Sequence, residues 1–298
     1  MTTTDGARVA SSVRIVDYRP EHRERFQSLN LEWITKYFAV EDADRRALDD
    51  PEGSILRPGG CILMAELGGE VLGTCALIRV ADHTLELAKM AVTESARGQG
   101  VGLALGAAAV ARAKALGARR VELLSNTVLR PALRLYERLG FVEVPLPETE
   151  YRRANIKMVL DLSGAVKCVL LVADDLPPGL AVNAAAVLSL TVGARVPLLV
   201  APGAVDGSGR AHAGLTWLPI PVLAASRDAI ARTREQALAA PDVLVVDLSD
   251  VAQRARTEDE YVARLRELPA EDVRYVALAL YGDRAAVAGL TGGMRLLR

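Results

Sequence analysis

The sequence predicts an α/β protein built from two domains. Its 298 residues exceed the length of a typical single domain. Apolar runs of strand length alternate with helical patterns in both halves, and a glycine-rich turn joins the strand at 84–92 to a long Ala/Leu helix. A Ser-Gly-Ala linker at 163–165 precedes an abrupt new apolar run. We therefore predict a first domain at residues 1–163 and a second at 164–298.

The composition is that of an ordinary globular protein. Hydrophobic residues make up 51% and charged residues 24%. There is no apolar run of about 18 residues, and the start lacks the core of a signal peptide, so a cytoplasmic protein without membrane partners is expected. The net charge of −1 argues against a nucleic-acid partner. The three cysteines form no C-x-x-C pair and the three histidines are scattered, so no metal site is expected.

The first domain opens with a strand, a helix and a hairpin. Apolar patterning predicts a strand at 13–18 and an amphipathic helix at 21–38. An acidic stretch containing a Pro-Glu-Gly breaker follows. Two strands at 60–67 and 70–80 are joined by a Gly-Gly pair, a hairpin signal, and a third strand spans 84–92.

The rest of this domain alternates helices and strands. The helix at 101–116 stops at a glycine, a residue typical of the helix C-terminus. A strand at 120–125 precedes a helix at 130–139 that has proline in its first turn. Strands at 141–144 and 155–162 complete the domain.

The turn before the long helix carries the clearest functional signal. It reads Arg97-Gly98-Gln99-Gly100-Val101-Gly102. Alternating glycines leave backbone N–H groups uncovered at a helix N-terminus, which attracts phosphate, and Arg97 adds a bidentate donor. Leucine at 103 departs from the Rossmann spacing, and no Gly-Lys-Ser/Thr triplet of an ATP-type loop follows. The turn is interpreted as a pyrophosphate cradle, and the alternative is a turn that only permits close packing.

Two motifs resemble the GNAT acetyltransferase superfamily over residues 13–162. They are R-x-x-G-x-G after a strand ending Met90-Ala91-Val92, and Leu135-Tyr136-Glu137-Arg138-Leu139-Gly140-Phe141. The resemblance implies a mixed sheet with flanking helices and acetyl-CoA as co-substrate. The family often places an asparagine seven residues before the tyrosine; Leu129 stands here, and nearby Asn126 is the substitute. The implied cofactor-binding residues are Met90, Ala91, Val92, Arg97, Gly98, Gln99, Gly100, Val101, Gly102 and Asn126.

Tyr136 and Glu86 are the candidate catalytic residues. The resemblance makes Tyr136 the donor to the leaving sulfur; because its reference pKa of ~10 exceeds the ~8.5 of a thiol, it is a hydrogen-bond donor first. The alternative is that Tyr136 is a core residue on one face of its helix.

Glu86 is the candidate base, since strand alternation places it on the same face as Met90 unless a bulge intervenes. The alternative is an edge glutamate in a salt bridge. Lys89, on the opposite phase, is expected to be structural.

The acceptor contacts are expected at two places. Trp33 and Tyr37 on the first helix are candidates, with packing against the sheet as the alternative. Tyr151, Arg152 and Arg153, near the last strands, are candidates for binding a carboxylate, with Arg152 as the selected residue, and the alternative is a solvated pair of arginines. A weak base such as Glu86 suits an α-amine (pKa ~7.8) better than a lysine-type amine (~10.4).

The second domain has a resemblance of its own. Its opening strand and its closing Leu-Thr-Gly-x-x-x-Leu-Leu resemble the type II peptidyl-tRNA hydrolase fold, and more closely uncharacterised bacterial domains of that fold. Active members carry a lysine and a histidine on the first helix. Here the lysine position is Leu180 and no histidine is present at 179–186. The resemblance therefore implies the fold rather than hydrolase activity.

These features together predict transfer of an acetyl group from acetyl-CoA to the amine of a small molecule or amino acid. One alternative is a non-catalytic acyl-CoA sensor whose second domain is the output module. Another is acetylation coupled to release of an aminoacyl group from tRNA. The second domain is expected to aid substrate binding or to form a homodimer.

Overall fold

The computed structural model describes residues 13–149 and 151–298. These residues form two compact units. The first contains the described residues up to Ala113 together with Ala118–Leu162, and the second contains Lys114–Gly117 together with Ser163–Arg298.

A mixed seven-stranded sheet forms the centre of the first unit. Its strand order is β1-β2-β3-β4-β5-β7-β6, and only the neighbours β4 and β5 are parallel. The strands are β1 (Arg14–Asp17), β2 (Cys61–Leu67), β3 (Glu70–Ala81), β4 (Thr84–Val92), β5 (Arg120–Ser125), β6 (Val142–Val144) and β7 (Ile156–Asp161). The strands and the hairpin predicted from sequence are confirmed to within one residue at each end.

Four α-helices flank this sheet: α1 (Arg23–Tyr37), α2 (Asp42–Asp49), α3 (Val101–Leu116) and α4 (Arg130–Arg138). Phe26 and Ile34 of α1 and Leu48 of α2 pack with Met64 of β2 in one buried cluster. On the other face Leu105 of α3 packs against β3, where its carbonyl oxygen lies 3.8 Å from the Cys75 Sγ. The acidic stretch after α1 forms α2 and a π-helical turn at Glu52–Leu56.

The parallel strands β4 and β5 separate along their length. Only Thr84–Glu86 pair with Arg120–Glu122, although β4 continues to Val92 and β5 to Ser125. Among the described residues no strand pairs with β4 on this side beyond Glu86. The two strands therefore open a gap that exposes backbone groups of β4.

A β-bulge lies in β4 at Lys89, whose φ is +51°. Ala88 pairs with Ala76 and Ala91 pairs with Thr74, so two residues of β4 oppose one residue of β3. The bulge shifts the alternation of side chains by one residue. Glu86 shares its face with Ala91, and Met90 lies on the opposite face. The expectation that Glu86 and Met90 share a face is therefore wrong.

The second unit contains a mixed five-stranded sheet of order β12-β13-β8-β11-β14, in which only β8 and β11 are parallel. Its strands are β8 (Val166–Ala173), β11 (Val222–Ala225), β12 (Val243–Ser249), β13 (Tyr275–Asp283) and β14 (Arg295–Leu296), and β9 (Ala204–Val205) pairs with β10 (Ala211–His212). Its helices are α5 (Pro178–Arg195), α6 (Arg227–Leu238), α7 (Asp250–Arg254), α8 (Glu258–Arg266) and α9 (Arg284–Thr291).

Apolar clusters cover both faces of the second sheet. Leu188 of α5 packs on one face, and Ile230 of α6 and Val287 of α9 pack on the other. The predicted alternation of strands and helices is confirmed for this unit. Within residues 13–149 and 151–298, no helix is both long and apolar enough to cross a bilayer.

Candidate active site

A cavity of about 820 Å³ lies in the first unit. Its walls are residues 86–92 of β4, the end of β5, the loop before α3, the exposed side of α4 and the C-terminal end of α1. The gap between β4 and β5 therefore forms part of a single cavity that runs from the glycine-rich turn to the aromatic end of α1.

The cavity collects most of the residues that the sequence singled out. Those in its lining are Trp33, Tyr37, Glu86, Met90, Ala91, Val92, Arg97, Gly98, Gly100, Gly102, Asn126 and Tyr136. Three others lie outside the lining. Gln99 donates from its side-chain amide to the Ser95 carbonyl oxygen at 2.7 Å, Val101 is fully buried, and Arg152 is exposed.

The glycine-rich turn has the open backbone that an anion site needs. Gly98 and Gly100 have φ values of +76° and +83°, a left-handed conformation that favours glycine. A Cβ atom at Gly98 would meet no atom within 4 Å. Because α3 begins at Val101, the first amides of the helix have no partner within the helix.

Close packing, the alternative explanation of these glycines, applies to Gly102. A Cβ atom at Gly102 would lie 3.0 Å from the Leu135 Cδ1 atom of α4. Gly102 therefore lets α3 and α4 approach each other, whereas Gly98 leaves open space. Close packing therefore explains Gly102, and an open backbone for an anion explains Gly98.

Arg97 is held at the edge of the cavity by protein groups. Its Nε donates to the Val92 carbonyl oxygen at 3.2 Å, and its Nη2 lies 3.3 Å from the Glu32 Oε1 atom. The guanidinium is partly exposed, and the ion pair ties the loop to α1. An incoming phosphate would share or replace Glu32 as the partner of Arg97.

Tyr136 is both a core residue and a cavity residue. It is 8% exposed, and its ring meets Phe141 edge-on at 6.0 Å. Burial, with a smaller contribution from Cys75, raises the pKa of Tyr136 to about 12. The hydroxyl therefore keeps its proton at neutral pH, which suits a hydrogen-bond donor better than an acid.

Asn126 uses its side chain to hold the local backbone. Its Nδ2 donates to the Arg153 carbonyl oxygen at 2.6 Å, and its Oδ1 accepts from the Val128 amide at 2.9 Å. The side-chain amide is thus engaged within the protein. Leu129, which stands at the position where the family often has asparagine, also lines the cavity.

A buried ionic cluster at the far end of the cavity was not predicted. Asp44 of α2 is 0% exposed and accepts from the Arg153 Nη1 at 2.5 Å, the Arg153 Nη2 at 2.7 Å and the Lys89 Nζ at 2.9 Å. Burial raises the pKa of Asp44, but the hydrogen bonds from Arg153 and the charge of Lys89 outweigh this effect and lower the pKa to about 2. Asp44 is therefore ionised at neutral pH.

Of the neighbours Arg152 and Arg153, only Arg153 lines the cavity. The backbone amide of Arg152 donates to the Glu41 carboxylate at 3.1 Å, and among the described residues its exposed side chain has no partner. The Arg153 guanidinium lies 4.9 Å from the Tyr151 ring centre and 5.9 Å from that of Trp33. Both arginines lie in an irregular turn, and the sequence does not show which of them faces the cavity.

Metal ligands are not assembled here. In the part of the chain that the structure describes, no three His, Cys, Asp or Glu side chains come close enough together to hold a metal ion.

Comparisons with known proteins agree with this geometry in the first unit. Residues 25–141 match the model of the Acetyltransferase (GNAT) family. The first unit is therefore a GNAT acetyltransferase domain. Residues 166–298 match a family described as a protein of unknown function, DUF2000. Because that description assigns no function, the resemblance of the second unit to peptidyl-tRNA hydrolases stays a prediction.

One curated relative is the N-acetylaspartate synthetase of Danio rerio. The two sequences are 37% identical over 97 residues, which cover 32% of this chain and 34% of that protein. The match therefore spans about a third of the relative's length.

Solved structures also align with half of the chain. A GNAT-family acetyltransferase from Staphylococcus aureus is 22% identical, covers 50% of this chain and 99% of its own, and has a TM-score of 0.47. An acetyltransferase from Bacillus subtilis, solved in complex with CoA, is 24% identical, with 50% and 99% coverage and a TM-score of 0.40.

Proposed function

We propose that the first unit transfers an acetyl group from acetyl-CoA to the amine of a small molecule or amino acid. The observation that carries this proposal is the continuous cavity of about 820 Å³. It joins an open glycine turn, an unpaired strand edge and a charged, aromatic pocket. The turn suits the diphosphate of acetyl-CoA, the strand edge suits its pantetheine arm, and the pocket suits the acceptor amine.

The glycine turn and β4 would hold the cofactor. Amides at the start of α3, with Arg97, Gly98 and Gly100, would bind the diphosphate. The edge of β4 beyond Glu86 is unpaired on its β5 side, so the pantetheine arm could add to it like a strand. A backbone N–H near Met90 or Ala91 would then face the thioester oxygen, and one such donor is worth roughly 2.7–4 kcal/mol.

Glu86 and Tyr136 would assist the chemical step. The neutral amine attacks the thioester carbonyl carbon, and the tetrahedral intermediate collapses as the carbon–sulfur bond breaks. Glu86 would accept the proton that the amine loses, and the Tyr136 hydroxyl would donate a hydrogen bond to the leaving thiolate. Because the pKa of Tyr136 is raised to about 12, hydrogen bonding is favoured over full proton transfer.

The acceptor that best fits this machinery is an α-amine. Neutralising a lysine-type amine (pKa ~10.4) at pH 7 costs about 4.6 kcal/mol, whereas the α-amine of a peptide N-terminus (~7.8) costs about 1 kcal/mol. A free amino acid lies between these values, because its own carboxylate favours the charged amine. A weak carboxylate base such as Glu86 is better suited to an α-amine than to a lysine-type amine. The name of the zebrafish relative, N-acetylaspartate synthetase, also favours an amino acid as the acceptor.

The second unit is proposed to be a separate domain starting at residue 164. The family model that matches it begins at residue 166, in agreement with that boundary. Its proposed role is to support substrate binding or to pair two chains, on the peptidyl-tRNA hydrolase-like fold that its sequence resembles. The helix that would carry the lysine and histidine of an active hydrolase begins at Pro178 and has Leu180 in its first turn.

Two measurements on the full chain test the proposed activity. Calorimetric titration with acetyl-CoA should show binding near the micromolar range, and amines offered together with acetyl-CoA should release free thiol. Absence of binding would end the proposal. Binding without thiol release from any amine would instead favour a non-catalytic acyl-CoA sensor.

A further inference from the structure

The cavity end opposite the glycine turn, here called the acceptor end, contains Trp33, Asp44, Glu86, Lys89, Tyr151 and Arg153. Both carboxylate oxygens of Asp44 accept hydrogen bonds from Arg153, and Oδ1 accepts a second one from Lys89. Arg153 has Glu41 as a second acid, 3.7 Å from its Nη1. Lys89 thus shares its one acidic partner with a bidentate arginine.

Lys89 and Tyr151 together have more donors than acceptors. The Lys89 ammonium carries three N–H groups, and its acceptors are the Asp44 Oδ1 at 2.9 Å and the Tyr151 hydroxyl at 3.0 Å. The Tyr151 oxygen therefore accepts, and no other described residue accepts the proton of its hydroxyl. The Lys89 side chain is only 4% exposed. Buried donors normally find acceptors, and this pair leaves one N–H and one O–H beside the cavity.

The bulge in β4 places an acid near these donors. The left-handed φ of +51° at Lys89 directs its side chain towards Asp44 of α2, on the face of the sheet that also carries Glu86. Glu86 and Tyr151 both line this cavity, and after burial the charge of Glu86 contributes to raising the pKa of Tyr151. Besides Asp44 and Arg153, which pair with each other, the acceptor end contains the carboxyl group of Glu86 and two hydrogen-bond donors, on Lys89 and Tyr151.

We propose that Lys89 and Tyr151 bind the carboxylate of an amino-acid acceptor while Glu86 receives its amine. This inference rests on the proposed acetyl transfer and names the substrate class. A carboxylate brings about four lone-pair sites, enough for the N–H of Lys89 and the O–H of Tyr151. A polyamine would instead bring a second ammonium against Lys89 and Arg153.

Thiol release from acetyl-CoA measures the specificity. The acceptors are a panel of L-amino acids, the matched α-amides and spermidine. The wild-type chain should prefer at least one amino acid over its amide by tenfold or more in kcat/KM, and spermidine should be a poor acceptor. Lys89→Met should lower kcat/KM for that amino acid by about 10- to 100-fold, the range for a charged hydrogen bond, and change the amide by less than threefold.

Tyr151→Phe and Lys157→Met complete the test. Tyr151→Phe keeps Lys89 paired with Asp44 and should lower the preference for the amino acid by about tenfold, the lower end of the range for one hydrogen bond to a charged group. It decides the question if Lys89→Met fails to fold, which its acetyl-CoA affinity and thermal melt would reveal. Lys157→Met removes a lysine that pairs with Glu122 at 2.8 Å outside the cavity lining, and it should leave the preference unchanged.

The outcomes separate the two proposals. The carboxylate site would be overturned if wild type had equal kcat/KM for amino acids and their amides. It would also be overturned if Lys89→Met and Tyr151→Phe lowered kcat/KM equally for the amino acid and its amide. Either result would leave the proposal of acetyl transfer intact. Absence of both acetyl-CoA binding and thiol release would overturn acetyl transfer, and the carboxylate site with it.

Discussion

At the scale of single residues, the backbone of Lys89 decides which side chains meet in the cavity. A left-handed φ at a residue other than glycine costs about 1–2 kcal/mol. Here φ is +51°, and the Lys89 side chain is anchored to Asp44 at 2.9 Å. The bulge brings Lys89 to the same side of the sheet as Glu86.

Asp44 should make the first unit sensitive to acid. Its pKa falls from 3.8 to about 2 on folding. A lowered folded-state pKa contributes stability that is present above pH 4 and is lost as the pH falls towards 2, in total about 2 kcal/mol. Asp44→Asn should therefore flatten the loss of stability between pH 4 and 2, as measured by urea unfolding at each pH.

The same substitution should also destabilise the unit at neutral pH. The neutral amide of Asp44→Asn would leave Lys89 and Arg153 without their buried carboxylate, which costs about 3–5 kcal/mol. The exposed Asp42 on the same helix provides the control, and Asp42→Asn should change stability by no more than about 1 kcal/mol. Similar losses from both substitutions would contradict the role given to Asp44.

Tyr136 should matter to turnover and not to cofactor binding. Tyr136→Phe removes the proposed donor to the leaving thiolate, and kcat should fall roughly 10- to 100-fold. The affinity for acetyl-CoA, measured by calorimetry, should stay within threefold of wild type. Tyr18→Phe is the matched control because the Tyr18 hydroxyl bonds Glu52 at 2.7 Å outside the cavity. Unchanged kcat in Tyr136→Phe would reduce Tyr136 to a packing residue.

At the scale of elements, the turn into α3 and the separation of β4 from β5 create the site. The strands pair only at Thr84–Glu86 and Arg120–Glu122, which leaves the later part of β4 with an unpaired edge. Gly102 meanwhile lets α4 approach α3, where a Cβ atom would lie 3.0 Å from the Leu135 Cδ1. The cavity is therefore a product of how these elements separate and pack.

Gly100→Glu should abolish binding of acetyl-CoA. The left-handed φ of +83° at Gly100 disfavours any side chain, and a carboxylate would repel the diphosphate. Titration calorimetry should show at least a hundredfold loss of affinity. Gly164→Glu, in the linker where a Cβ atom would meet nothing within 4 Å, is the control and should bind as wild type does. Tight binding by Gly100→Glu would place the diphosphate elsewhere.

At the scale of the whole molecule, the chain joins a GNAT domain to a second compact unit of unassigned role. The cavity lining lies wholly within the first unit. If the second unit is not an output module, binding of acetyl-CoA should slow amide exchange in the first unit alone.

Hydrogen exchange on the full chain checks this expectation. Addition of acetyl-CoA should slow exchange of amides at 86–105 and 124–138, because they line the cavity or lie at the start of α3. Amides at 166–298 should exchange at an unchanged rate. Protection or release within 166–298 would favour the sensor, since an output module must respond to the ligand.

The local sequence determined the elements of this protein and the location of its glycine-rich turn. Apolar periodicity, the glycines from 98 to 102 and the helix-ending glycines act over a few residues, so their consequences can be predicted from neighbours in the chain. The resemblance to a family motif pointed to Tyr136, and local position pointed to Glu86 and the aromatic residues of α1; all of them line the cavity.

Only the tertiary structure decided the face of Glu86, the choice of Arg153 over Arg152, and the meeting of Asp44 with Lys89. Asp44 lies 45 residues from Lys89 and 109 from Arg153 along the chain. Their pairing depends on the packing of α2 over a bulged strand, and the sequence does not predict a left-handed φ at a lysine. Side-chain alternation could not have predicted this pairing, because one extra residue in a strand reverses the alternation from that point onward.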